Sequence, residues 1–301
     1  MAVTGPGATI VVIGNATRDV TYRLDRLPLP GETRLADATM NDCGGKGLNQ
    51  AVAAARAGGR VAFFAAVGDD AVAEAIRAAL AAEPHIEAHL WTRHGRASDE
   101  SVILLDAAGE NAIVSTAACA RSVTAAEVVD ALTRSAAGDI LLMQGNLSLE
   151  ATRAGLAAAR ARGLLTLWNP APCPPGAADL LPLADLLVVN KGEAEAIFGA
   201  VPSTRPAHAA RLVVTLGAEG ARIFDGTARI AIAAPAVSAL DTAGAGDAFV
   251  GTLAAGLAAG LALPNAAAAA VAQAALVVTR PGTLGAIRTL AVPDWAAFET
   301  I

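Results

Sequence analysis

The chain has 301 residues, 54% of them hydrophobic, which is enough for one large core with a small appended domain. Its formal net charge is −6 and only 3% of it is aromatic, with no basic stripe, which excludes a nucleic-acid surface and leaves small anions as charged ligands. Cys43, Cys119 and Cys173 are odd in number and widely spaced, so neither a disulfide framework nor a zinc site is expected, and a reducing cytoplasm fits best.

In chain order, Met1 to Thr9 shows no basic segment followed by an apolar one, so no signal peptide is expected. Thr9 to Gly14 (TIVVIG) is a β-branched apolar run of the kind buried on both faces of a parallel sheet. Similar runs follow at Val61 to Val67, Ile140 to Met143, Leu164 to Trp168, Leu186 to Val189 and Leu212 to Leu216. Helical segments lie between them, at Gly47 to Ala57, Ala71 to Ala82, Ala125 to Ser135 and Leu149 to Arg162. This alternation specifies an α/β fold, a mostly parallel sheet with helices on both faces. Thr21 to Asn41 and Leu90 to Ser115 break it, reading as strands with turns at Pro30-Gly31 and Ala108-Gly109, and are expected to form one small β-sheet lid. The expected division gives residues 1–17, 42–88 and 117–301 to a large nucleotide- and substrate-binding domain and 18–41 and 89–116 to the discontinuous lid.

Several stretches carry chemistry. Asp19 lies just past the first strand, where open α/β sheets receive ligands. Gly44-Gly45-Lys46-Gly47-Leu48-Asn49-Gln50 opens an alanine-rich helix, so its glycines let backbone approach a ligand and Asn49 offers a donor and an acceptor. Asn190 and Glu193 follow a strand with the spacing of a helix capping box, a role compatible with ligand binding. Thr215-Leu216-Gly217-Ala218-Glu219-Gly220 closes a strand with two glycines.

In Asp241-Thr242-Ala243-Gly244-Ala245-Gly246-Asp247, three small residues precede a carboxylate where a long apolar helix begins. The amides of Gly244, Ala245 and Gly246 would form an anion cradle at the helix N-terminus, with Asp247 beside it to take a proton from an incoming hydroxyl. From Phe249 to Thr279 no residue is charged. Leu263-Pro264-Asn265 interrupts that stretch and Gln273 sits within it, so two buried helices are expected and not a membrane span. His85, His89, His94 and His208 stand outside every motif, and no nucleophile–histidine order supports hydrolase chemistry.

The string DTAGAGD and the string GGKGLNQAVAAA resemble the two signatures of the PfkB/ribokinase family of sugar and nucleoside kinases, and the other motifs follow in family order. The resemblance implies a ribokinase-like fold with a β-sheet lid and an ATP-dependent transfer to a sugar hydroxymethyl group, ribose being the first candidate. It assigns Asp247 as base and Gly244, Ala245 and Gly246 as the anion hole. It assigns Asp19, Gly45, Lys46 and Asn49 to the sugar, and Asn190, Thr215, Gly217, Gly220 and Gly246 to the nucleotide. Asn190 and Glu193 are implied for Mg²⁺, and Asp241, Ala243, Val277, Arg280 and Gly282 for K⁺. A homodimer joined through the lid is also implied.

The chain departs from ribokinases in three places. Thr17 stands where they carry Asn, Asn146 stands where they carry Glu, and the connection from Phe198 to Leu212 is short, so that a helix is lost. Asn146 brings a donor where Glu has only acceptors, which leads to the expectation of a ligand presenting an acceptor or a differently placed hydroxyl there. A nucleoside kinase of the same family and a non-catalytic sugar- or nucleotide-binding protein remain open as alternatives.

Overall fold

The computed structural model describes residues 7–107, 109 and 111–298. Met1 to Pro6 and Ala108 of the expected second turn lie outside the described residues. The apolar runs form strands as their burial demands: β1 (Thr9–Gly14), β4 (Arg60–Val67), β8 (Ile140–Met143), β9 (Leu165–Trp168), β10 (Leu186–Asn190) and β11 (Arg211–Thr215). With β5 (Ile86–Thr92), β12 (Ala221–Asp225) and β13 (Ala228–Ile232) they make, among the described residues, a nine-stranded sheet ordered β13-β12-β11-β10-β9-β8-β1-β4-β5. All of its pairings are parallel except those of β12, which is antiparallel to β11 and β13.

Period-two alternation assigns each strand's side chains to two cores. Ile10, Val12, Val61, Phe63, Leu142 and Val188 face one side, under α1 (Lys46–Arg56), α2 (Ala71–Ala81), α6 (Ala245–Ala258) and α7 (Leu263–Val277). Val11, Ile13, Leu141, Met143, Leu187 and Val189 face the other, under α3 (Ala125–Ala131), α4 (Leu149–Ala161) and α5 (Lys191–Phe198). The uncharged stretch after Asp247 is buried as α6 and α7, as its composition required, and among the described residues no helix is long and apolar enough to cross a membrane. Helix α6 crosses α1 backbone to backbone: a Cβ on Gly251 would stand 2.5 Å from the Gln50 carbonyl oxygen and 2.8 Å from the Ala54 nitrogen.

The smaller sheet, ordered β3-β2-β6-β7 among the described residues, is built from β2 (Thr17–Arg23), β3 (Ala38–Gly44), β6 (Glu100–Leu105) and β7 (Asn111–Ser115). The two excursions therefore do meet in one sheet, but the second begins later than expected. Ile86–Thr92 pairs in parallel with β4 at the edge of the large sheet, so the segment 89–116 is not all lid. Its mixed polarity, which suggested a lid strand, comes from an edge position that leaves it half-buried. At the other end, Thr17 pairs with Gly44, so both belong to the small sheet's first rung. No helix occupies residues 199–210, in keeping with the short connection.

Candidate active site

The carboxyl ends of four neighbouring parallel strands each present a side-chain amide: Asn15 after β1, Gln144 after β8, Asn169 after β9 and Asn190 ending β10. This is the edge at which an open α/β sheet binds ligands. Asn15 organises the entry to α1, its Oδ1 accepting from Gly47 N–H at 3.1 Å and its carbonyl from Leu48 N–H at 3.0 Å. Gly45 caps α1 at φ 92, and an added Cβ would lie 3.0 Å from Asn15 Nδ2, so glycine meets both a backbone and a space requirement there.

Helix α6 starts at Ala245 after Gly244, which adopts φ 78, and no side chain caps it. No side chain therefore occupies its first-turn amides, although Ala245 N–H also donates to the Thr242 carbonyl at 3.4 Å, and a Cβ on Gly246 would meet nothing within 4 Å. Asp247, 7% exposed, stands in this turn. Its Oδ2 accepts from Asn49 Nδ2 at 3.1 Å and its Oδ1 from Gln50 Nε2 at 3.0 Å, while Lys46 Nζ lies 3.9 Å from Oδ1. The sequence motifs centred on Lys46 and Asp247 are therefore one site, and Lys46 stands beside the carboxylate. The other amide atom of Asn49, Oδ1, is buried with no partner among the described residues.

Asp19 is the second carboxylate of the site, and the small sheet positions it. On β2 it lies opposite Asp42 of β3 and Ser101 of β6. Burial pushes its carboxyl above the usual range, Asp247 and Asp42 add to that, and the hydroxyls of Thr17 and Ser101 pull the other way. Thr17 is fully buried and donates to Asp19 Oδ1 at 2.6 Å, so it meets a ligand only through Asp19. Among the described residues Asn146 forms no hydrogen bond with these groups, and its buried Oδ1 has no partner. What this amide oxygen lacks is a donor, which a differently placed ligand hydroxyl would supply and a ligand acceptor would not.

Asn190 and Glu193 do form a capping box on α5, Asn190 Oδ1 accepting from Glu193 N–H at 2.8 Å and Glu193 Oε2 from Asn190 N–H at 2.8 Å. Burial raises the Glu193 carboxyl above its ordinary range, opposed by Lys46 and reinforced by Asp247, so these three charges share one field. Thr215 pairs with Asn190 across β10 and β11, and the loop after it turns through Gly217 at φ 60 and Gly220 at φ 91. The Gly220 position is closed to any side chain by the Ile232 carbonyl. Asp241, 6% exposed, accepts from Ala243 N–H and from Gly282 N–H, both at 2.9 Å, which joins the start of the anion cradle to the loop after α7. In that loop Arg280 N–H donates to the Val277 carbonyl at 3.0 Å.

Sequence reasoning missed Gln50 as a partner of Asp247, and it missed Gln144, Asn169 and Ser101. A signal was present for two of them: a lone amide directly after a fully buried strand (ILLM-Gln144, LTLW-Asn169) has to be satisfied at the sheet's ligand edge.

Comparison with known proteins agrees with this geometry. The model of the pfkB family of carbohydrate kinases matches residues 8–290. Ribokinase of Haemophilus influenzae is 31% identical over 293 residues, covering 93% of this chain and 95% of its own. Among solved structures, ribokinase of Giardia lamblia superposes with a TM-score of 0.82 at 23% identity, over 97% of this chain and 98% of that one. Ribokinase of Cryptococcus neoformans in complex with ADP gives 0.74 at 26% identity, over 97% and 99%. With the family model spanning nearly the whole length and its signature residues gathered around one carboxylate, the chain belongs to the pfkB family of carbohydrate kinases.

Proposed function

We propose that the protein phosphorylates the hydroxymethyl group of a small sugar of the ribose class, using ATP, with Asp247 as the general base. The observation that carries this reading is the Asp247 carboxylate, held on both oxygens by Asn49 and Gln50 in the first turn of an uncapped helix. A sugar hydroxyl approaching it would find a proton acceptor and, beside it, the amides of Ala245 and Gly246 for the charge of the phosphoryl group in flight. Asp19, with Thr17 behind it, would hold two ring hydroxyls. Gly45, Lys46 and the free Oδ1 of Asn49 would complete the sugar side, and the orphaned Oδ1 of Asn146 would accept from a further hydroxyl. Residues near Thr215, Gly217 and Gly220 would line the nucleotide, and use of a nucleotide accords with the Cryptococcus ribokinase having been solved in complex with ADP. The small sheet would act as the lid that excludes water.

Two cations belong to this reading. Mg²⁺ neutralises charge on the nucleotide phosphates when bound, and Glu193 with Asn190 would hold it through water, since Glu193 is a desolvated carboxylate that forms no ion pair among the described residues. K⁺ would sit in the loop at Asp241, a buried carboxylate that accepts from the backbone N–H groups of Ala243 and Gly282, with the carbonyls of Ala243, Val277, Arg280 and Gly282 as further oxygens. A homodimer through the lid is supported by apolar side chains exposed on the small sheet, Ile113 at 55% and Val114 at 75%. A cytoplasmic setting accords with three free cysteines and a nucleotide co-substrate.

The test is an ATP-consumption screen across pentoses, hexoses and nucleosides, repeated with Asp247→Asn. Ribose or a close relative is expected to be turned over, and the variant to lose on the order of 10²-fold or more in kcat with both substrates still bound. Full activity in Asp247→Asn refutes the assignment of the base.

A further inference from the structure

Gln50 is fully buried behind Asp247, and the direction of its amide is dictated from both ends of a hydrogen-bonded chain. At one end the Val188 carbonyl can only accept, so Asn169 turns Nδ2 toward it, at 2.9 Å, and leaves its Oδ1 facing Gln50. That oxygen accepts from Gln50 Nε2 at 2.9 Å. The second N–H of the same nitrogen goes to the Asp247 carboxylate, which also only accepts. Gln50 Oε1 is thereby turned to Gln144, whose Nε2 donates to it at 2.9 Å. Reversing the Gln50 amide would set acceptor against acceptor at Asp247 and at Asn169, and donor against donor at Gln144. Every polar atom of Gln50 is used, and only one orientation uses them all.

We infer that Gln50 is the positioning residue of the catalytic carboxylate. By donating to Oδ1 while Asn49 donates to Oδ2, it fixes the plane of the Asp247 carboxylate. Through Gln144 and Asn169 it ties that plane to β8, β9 and β10, the strands that lead to Asn146 on the sugar side and end in Asn190 on the nucleotide side. Gln50 itself reaches no ligand. This inference rests on Asp247 acting as the base.

The experiment compares purified Gln50→Met and Gln50→Glu with wild type and Asp247→Asn, using ribose and ATP with Mg²⁺, and follows kcat, each KM, the pH profile and the melting temperature. Gln50→Met keeps the length and removes the donor. Its kcat is expected to fall about tenfold with both KM values within about twofold, because the lost bond acts on the orientation of the base and not on ligand binding. In Gln50→Glu two carboxyl groups come within hydrogen-bond reach and hold a proton between them, so the acid limb of kcat/KM should move to higher pH, with activity recovering toward the alkaline side. The other charges facing Asp247, namely Lys46, Asp19 and Glu193, are the same in every variant. A merely structural Gln50 predicts lower melting temperatures with wild-type kcat and an unmoved acid limb in the folded fraction, and that result overturns the proposal. If Gln50→Glu does not fold, Gln50→Met decides alone: a kcat within about twofold of wild type, or a loss carried by KM, rejects it. Activity retained by Asp247→Asn would instead remove the base on which the inference depends, while an inactive Asp247→Asn beside wild-type Gln50 variants removes the role of Gln50 only.

Discussion

Gly44 lies so close to Asp19 on the neighbouring strand that a methyl group on its α-carbon would overlap the Asp19 carboxylate. The backbone of Gly44 itself does not need glycine, since its φ is not among the positive ones. The constraint is space for one functional side chain. Gly44→Ala is therefore expected to fold but to push Asp19 aside, raising the KM for the sugar about tenfold or more while the KM for ATP stays within about twofold. Steady-state kinetics with each substrate varied in turn checks this, and an unchanged sugar KM would separate Asp19 from sugar binding.

Asp19 also gives a prediction about stability. Its carboxyl titrates above the ordinary 3.8, first because it is desolvated and then because Asp247 and Asp42 are near. The folded protein thus holds this proton more tightly than the unfolded chain. Its favourable contribution is complete below 3.8 and is lost as the pH rises through the folded value. At neutral pH the ionised group is a cost, so Asp19→Asn should melt above wild type while losing sugar affinity. Calorimetry across pH should show that difference shrinking on acidification, and a difference that grows on acidification would contradict the sign.

Away from the substrate residues, Glu83 closes a clamp. Its side chain is 1% exposed and accepts from Arg56 Nε at 2.7 Å and from Arg288 Nε at 2.6 Å, joining the last turn of α1 to the segment just after α8 (Leu284–Ile287). Arg288 also donates to the Ala79 carbonyl at 3.0 Å. Glu83→Gln leaves two half-buried guanidinium groups facing a neutral amide and should cost about 3 kcal/mol of stability. Urea unfolding with an unchanged m-value is the measurement, and a loss below about 1 kcal/mol would show that the pair is screened like a surface one.

The loop fastened by Asp241 connects the anion cradle to the end of α7, so an ion there would act on the geometry of the cradle. Raising K⁺ from zero is expected to increase kcat relative to Na⁺ alone, and Asp241→Asn to flatten the titration. Equal rates at every K⁺ concentration, in wild type, would remove the cation from the reaction.

The sequence revealed most where a single physical demand fixed the residue type. Strands buried on both faces had to be continuous apolar runs, and Thr9–Gly14 and Ile140–Met143 begin and end where the pattern does. Ile86–Thr92 misled because an edge strand alternates in polarity, as a lid strand also would. The hairpin of β12 and β13 was unread, although Asp225-Gly226 between two apolar runs signals a tight turn, with Gly226 at φ 57. The site motifs were legible because small residues beside a carboxylate admit few purposes. The partners of those motifs were not, since Gln50, Gln144 and Asn169 lie far apart in sequence and their meaning is a matter of which amide faces which.

The crossing of α6 over α1 at Gly251 has a consequence for how the site persists as sequences drift. The helix that carries Asp247 is located against the helix that carries Asn49 and Gln50 by the main chain of Gly251 resting on the Gln50 carbonyl, the Ala54 nitrogen and the Ala53 methyl. Separation at that crossing is therefore set by peptide dimensions and one methyl group, that of Ala53. Substitutions elsewhere in either core change what fills the protein without recalibrating the ruler that measures the distance from amide to carboxylate. The residue on which that ruler depends is Gly251, since a larger side chain there would drive the two helices apart.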